Sequence, residues 1–132
     1  MPHKNTSQVD ELLKNWEEIY KKGLLTFWIL LFLYERPAYA YEMSTAITEL
    51  SQGMVSADEK SMYRALNRFE ALGILRSELE RSDLGPQRRY YRLTDAGLAL
   101  LRRFIERNIL VFQSPAVAQR IQAVINKTAI PA

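Results

Sequence analysis

The sequence predicts a mainly α-helical fold with a single two-stranded β-hairpin, and three observations carry that expectation. Apolar residues recur at helical spacing through most of the 132 residues. One segment, Ile74 to Leu93, alternates with period two and contains a Gly85–Pro86 turn signal. The composition, 48% hydrophobic and 25% charged, suits one folded domain with a real core rather than a disordered chain.

Taken in order, Ser7 and Asp10 stand in capping-box spacing and open a first helix, with Val9, Leu12, Leu13, Trp16, Ile19 and Tyr20 at helical intervals as far as Gly23. The run "LLTFWILLFLY", Leu24 to Tyr34, opens a second helix that extends to Glu35 and is apolar almost all round. Its 11 residues fall short of the roughly 20 that a membrane helix needs, so a buried helix and a cytoplasmic protein are expected. Lys4, Asp10, Glu11, Lys14, Glu17 and Glu18 leave no apolar signal core at the start. Pro37 ends the second helix.

A third helix is expected over about Tyr39 to Gln52, burying Met43, Ala46, Ile47 and Leu50, with Gly53 as its cap. Met54 to Ala57 forms a short turn. A fourth helix follows from about Asp58 to Leu72, capped by either Ser56 or Asp58 and stopped at Gly73. Ile74 to Glu80 reads as a strand, Arg81 to Pro86 as the turn, and Arg88 to Leu93 as the returning strand. Thr94 and Asp95 cap a long helix to about Gln113, broken at Pro115. Val117, Ile121, Val124 and Ile125 share one side of a last helix.

This order describes a winged helix-turn-helix with extra N-terminal and C-terminal helices. Residues 1–23 are expected to form an N-terminal amphipathic helix, 24–94 the winged helix, and 95–132 a C-terminal helix and tail. On the fourth helix Met62, Ala65, Leu66, Phe69 and Leu72 share one side. Lys60, Arg64 and Asn67 share the opposite one, flanked by Tyr63 and Arg68, with the donor chemistry used at phosphates and base edges. In the returning strand Tyr91 and Leu93 face the core, Tyr90 and Arg92 face away, and Arg81, Arg88 and Arg89 are expected to cluster at the tip.

An arginine-rich hairpin can also be a solvated edge that discourages strand pairing. What favours nucleic acid is that both cationic clusters fall where a winged helix meets a duplex. The net charge of +3 permits such a partner without demanding one. Asp58 and Glu59 count against it, and read better as a helix cap and a dipole partner than as base contacts. Catalysis has little to stand on. There is no cysteine, and the single histidine, His3, lies near a terminus without a scaffold. Glu17 and Glu18 are adjacent and point to different sides of a helix. No metal or cofactor is expected.

The stretches "KKGLLTFWILLFLYERPAYAYEM", "SMYRALNRFEALGIL" and "GPQRRYYRLTDAGLALL" resemble the PadR family of winged-helix transcriptional regulators, over about Lys22 to Leu101. The Gly-Pro-x-Arg-Arg-Tyr-Tyr-x-Leu-Thr-x-x-Gly pattern is the most specific part. The resemblance implies a homodimeric repressor that binds an inverted repeat in double-stranded DNA and is released by a small aromatic effector. By position it implies a phosphate contact at Tyr41, groove contacts at Ser61, Tyr63 and Arg64, and wing cations at Arg88 and Arg89. Ala40 departs from the usual glycine, and Asp58–Lys60 from the usual Ser-Pro-Gly, which affects the operator more than the fold.

Leu12, Trp16, Tyr20, Leu101, Ile105, Ile109, Phe112 and Ile121 exceed what one small core requires and are assigned to a dimer interface. The family's large C-terminal domain is expected to be absent, so an effector would bind between protomers near Trp16, Trp28 or Phe112. The competing reading is a winged-helix module that binds protein through its exposed aromatics, without direct DNA contact.

Overall fold

One helix, α1, runs unbroken from Pro2 to Glu35 in the computed structural model, which describes residues 2–81 and 85–130 and the side chains from residue 7 onward. The break expected at Gly23 does not occur. A lone glycine costs a helix only about 1 kcal/mol relative to alanine, and Lys21, Lys22, Leu24 and Leu25 around it are strong helix formers. The helix begins at Pro2, a residue whose missing N–H is harmless there, so Ser7 lies inside the helix instead of capping it. Its halves differ in partner. Ile29, Leu30, Phe32 and Leu33 are buried, whereas Val9, Leu12, Leu13, Trp16, Ile19 and Tyr20 are exposed. Among the described residues no helix is long and apolar enough to cross a membrane.

Helix α2 (Ala40–Leu50) buries Ala40, Met43 and Ile47, while Leu50, expected inside, is exposed. The buried position at that end is Ser51, whose hydroxyl accepts from the Val55 N–H at 2.9 Å and holds the turn. The left-handed cap is supplied by Gln52 (φ 55°) and not first by Gly53. Gln52 donates to the Glu49 carbonyl and Gly53 to the Thr48 carbonyl, the paired bonds of a Schellman closure. Ser44 Oγ donates to the Ala57 carbonyl at 2.7 Å, fastening the far end of the same turn to α2.

Helix α3 (Glu59–Ala71) is capped by Asp58, whose carboxylate accepts from the Ser61 N–H at 2.7 Å. That decides between the two candidate caps. Met62, Ala65, Leu66 and Phe69 are buried as the helical period requires, but Leu72 is 68% exposed. Leu72 is the C-cap, still bonded back to the Arg68 carbonyl, and just beyond it Gly73 (φ 80°) and Ile74 close the helix on the Glu70 and Phe69 carbonyls.

Strands β1 (Leu75–Arg81) and β2 (Gln87–Leu93) pair antiparallel, from Leu75 opposite Leu93 to Arg81 opposite Gln87. Residues 82–84 of the expected turn, and the side chain of His3, lie outside the described residues. Ala38, between α1 and α2, exchanges both backbone hydrogen bonds with Tyr91, at 3.3 and 2.8 Å, and so adds a one-residue third strand.

Thr94 caps α4 (Asp95–Phe104) by accepting from the Gly97 N–H at 3.1 Å, and its hydroxyl donates to the Gly73 carbonyl. The long helix then loosens into a π turn (Ile105–Ile109) and a 3₁₀ turn (Leu110–Gln113). Pro115 starts α5 (Pro115–Asn126) at the first helical position. The core lies where the C-terminal half of α1 meets α2, β2 and α4, with α3 packed against α2 and β1.

Gly97 is where this packing is tightest. A Cβ there would collide with the Ile74 carbonyl oxygen and stand 2.8 Å from Leu93 Cδ1. Backbone on one side leaves no room to yield. Gly97→Ala is therefore expected to lower stability by about 1–3 kcal/mol in urea unfolding, as overpacking does elsewhere. An unchanged midpoint would refute this account of the α4–hairpin contact.

Candidate functional site

The outward strip of α3 follows from its period. With Met62, Leu66 and Phe69 turned inward, Lys60, Arg64 and Asn67 fall on the opposite side and are exposed. Tyr63 is exposed beside them, and Arg68 rests its guanidinium 5.2 Å from the Phe69 ring. Ser61 is half-buried and engaged by the cap. Hydrogen bonds from Ser61, first its N–H, and then the charges of Arg64 and Lys60, hold the Asp58 carboxyl below the ordinary carboxylate range.

The strip leads directly to the hairpin. Tyr91 is 1% exposed, and its phenol donates to Asn67 Oδ1 at 3.4 Å. Burial, aided by the nearby Glu70 carboxylate, pushes the phenol upward, so it remains a neutral donor. A second link lies alongside. Glu70 accepts from the Ser77 hydroxyl at 2.6 Å and from its N–H at 3.0 Å, and Ser77 Oγ accepts from Arg89 at 3.0 Å.

Strand geometry then divides the three arginines expected to cluster at the tip. In the observed register Arg81 and Arg89 share a face with Ser77 and Tyr91, the face turned to α3. Arg88 is on the other face with Tyr90, Arg92, Glu78 and Glu80. Its guanidinium lies 4.5 Å from the centre of the Tyr39 ring. Arg92 pairs with Glu80 at 2.7 Å, which neutralises the wing's last arginine. Tyr41 is exposed at the start of α2, near an ion pair of 2.9 Å between Arg36 and Glu42 that ties α1 to α2.

Of the residues assigned to a second chain, Leu12, Trp16, Tyr20, Phe112 and Ile121 are exposed, and Ile105 and Ile109 are half-buried. Leu101 is a correction. At 3% exposure it belongs to this chain's own core, one helical turn beyond Gly97 on the face that α4 turns to α1. Trp16 and Trp28, two of the residues suggested for an effector between protomers, stand apart within one chain. Trp16 and Trp28 are twelve residues apart on one helix, about 18 Å along its axis. Trp16 lines a shallow groove of about 240 Å³ with Leu13, Tyr20 and Met54. Trp28 packs edge-on to Phe27 at 5.3 Å.

Sequence reasoning missed Tyr39, Glu70 and Ser77. Alternation in β2 signals which side each arginine takes, but the partners lie up to about fifty residues upstream and carry no motif.

The model of the transcriptional regulator PadR-like family matches residues 29–103, more than half of the chain. This chain belongs to that family. No curated protein matches it. Among solved structures, a transcriptional regulator from Clostridium thermocellum is similar at 27% identity and TM-score 0.61, over 80% of this chain and 93% of that one. A PadR-like transcriptional regulator from Bacillus cereus is 29% identical, with TM-score 0.59, over 80% of this PadR-like chain and 91% of its own length. PadR from Bacillus subtilis, solved in complex with operator DNA, shares the fold at TM-score 0.59 and 21% identity, over 64% of this chain and 48% of that one.

The Asp58 cap gives a pH test with a definite sign. A carboxyl held low in the folded state stabilises the protein above its unfolded pKa, near ~4, and loses that contribution as the pH falls through its lower folded value. Asp58→Asn, which caps without titrating, should show a smaller fall in melting temperature below about pH 4 than the parent chain. Parallel acid profiles would remove Asp58 from the account.

Proposed function

We propose that this PadR-like chain is a sequence-specific DNA-binding repressor that acts as a homodimer on an inverted repeat. The observation that carries this reading is the joint between α3 and the hairpin. Asn67, the last member of the Lys60–Arg64–Asn67 strip, is bonded to Tyr91, the residue that seats the wing. A donor-bearing helix face and an arginine-bearing hairpin held at a fixed offset suit a duplex, the helix in the major groove and the hairpin over the flanking backbone.

In this reading Lys60, Ser61, Tyr63, Arg64 and Asn67 serve the groove. Tyr41 and Arg68 serve phosphates, and Arg81, Arg88 and Arg89 serve the flank. The operator complex of the Bacillus subtilis relative supports operator binding here. The homodimer is supported by the exposed stripe of α1 together with Phe112 and Ile121. Fully burying each such side chain is worth about 1.5–3 kcal/mol. Two-fold symmetry would then present two α3 helices to half-sites about 34 Å apart.

Titrating the protein with a fluorescent duplex selected from random sequence, across a range of salt, tests the core of this. The log–log slope should be about −0.9 per phosphate contact, and salt-independent binding rejects the electrostatic interface. Arg64→Glu and Arg89→Glu should abolish binding while sedimentation still reports a dimer; retained affinity takes those residues out of the site. Trp16→Glu should shift sedimentation to the monomer and weaken binding to two half-sites more than to one. A dimer indifferent to that change would place its interface elsewhere.

A further inference from the structure

The wing's adjacent arginines are held by different means, and the difference gives a role to a residue outside the strip and the wing. We propose that Tyr39 is a positioning residue for DNA binding, its ring holding Arg88 with the guanidinium edge left free for phosphate; this rests on the DNA-binding reading above.

Three observations converge on Tyr39. The Ala38–Tyr91 bridge brings the chain just before α2 against β2, and Tyr39 follows in extended conformation (φ −100°, ψ 165°) as the last residue before the helix. Its ring then meets two of the three residues that the pleat places on the outer face of β2. Arg88 lies 4.5 Å from the ring centre, and Tyr90 packs edge-on at 5.5 Å and 71°. Finally, the carboxylate best placed to capture Arg88 is occupied. Glu80 stands directly across the strands from Arg88, but it pairs with Arg92 at 2.7 Å.

The manner of holding matters. A guanidinium stacked on an aromatic face is held through its own face, so its in-plane N–H donors remain free. Among the described residues none accepts a hydrogen bond from Arg88, whereas Arg89 gives one to Ser77 and Arg92 is consumed by Glu80. A long side chain fixed before the duplex arrives loses less freedom on binding than a waving one. Tyr39 also immediately precedes α2 and stands two residues before Tyr41, so the same ring fixes the wing's outer face to the start of the helix-turn-helix.

The test is a double-mutant cycle in the full-length chain, read by duplex titration across salt, with thermal melts to confirm folding. Tyr39→Leu should weaken binding by about twofold to thirtyfold, the span of a cation–π contact, and flatten the salt slope by about 0.9. Tyr39→Phe, which keeps the ring, should recover most of the affinity. Tyr39→Leu should cost nothing more once Arg88→Ala is present. A full Tyr39→Leu loss on top of Arg88→Ala overturns the proposal, as does parental affinity in Tyr39→Leu. Arg64→Glu separates the two readings. If it abolishes binding while Arg88→Ala leaves affinity unchanged, only the role of Tyr39 fails. If neither changes affinity, the placement of the duplex on α3 and the wing fails with it, and a parent chain that binds no duplex at all sinks the DNA-binding reading itself.

Discussion

The position of the wing depends on one buried side chain, Tyr91. Its backbone bonds to Ala38, its ring fills the space under β2, and its hydroxyl reaches Asn67. Three segments far apart in sequence meet at this residue. A lone two-stranded hairpin is at best marginally stable in water, so the wing owes its order to tertiary contacts rather than to its own turn. A buried aromatic ring is worth about 3–5 kcal/mol against truncation, more than any surface pair in the wing supplies. Once Tyr91 points inward, period two leaves no further choice: Arg89 lies on the α3 side, and Arg88, Tyr90 and Arg92 on the other.

That partition also sorts the charge. The described part of the hairpin carries five arginines, Arg76, Arg81, Arg88, Arg89 and Arg92, against Glu78 and Glu80. The Glu80–Arg92 pair is partly exposed, and such pairs contribute about 0–1 kcal/mol to stability. Its larger effect is to decide which cation is spoken for. On the inner face Glu70 takes Ser77, and Ser77 in turn orients Arg89 without neutralising it. At the other end of the strip Asp58, whose carboxylate feels the charges of Arg64 and Lys60, is committed to the Ser61 N–H as a cap.

Much of this was legible in the sequence where a single period governs. The buried side of α3, the inward Tyr91, the Thr94 cap and the apolar second half of α1 all follow from spacing and cap chemistry. The failures share a cause, which is competition between local signals that only tertiary contacts resolve. Gly23 looked like a stop, but its neighbours carry the helix through. Ser56 and Asp58 were both suitably placed caps, and the chain chose the carboxylate. Gly53 and Gln52 compete for the left-handed position, and the less expected residue takes the first cap. Leu72 and Leu50 continue an apolar period past the point where each helix packs. Leu101 is apolar in the way an interface residue is, and only its contact with α1 shows that its own chain has claimed it. The arginines at the tip end of the hairpin are divided instead, since adjacent positions along a strand take opposite faces.

The unbroken α1 has a consequence for how a dimer would act. A hinge at Gly23 would let the exposed apolar stripe swing independently of the core. A continuous helix instead fixes Trp16 relative to Ile29, about 20 Å apart along one axis. Ile29 belongs to the same core as Met62 and Tyr91. In a homodimer built on the stripe, the contact between protomers is therefore referred through one helix to the core that seats α3 and the wing. Half-site spacing then becomes a property of helix length and packing rather than of a flexible arm. Any ligand that altered how two such stripes meet would act on DNA by changing the separation of the α3 helices, without touching either one.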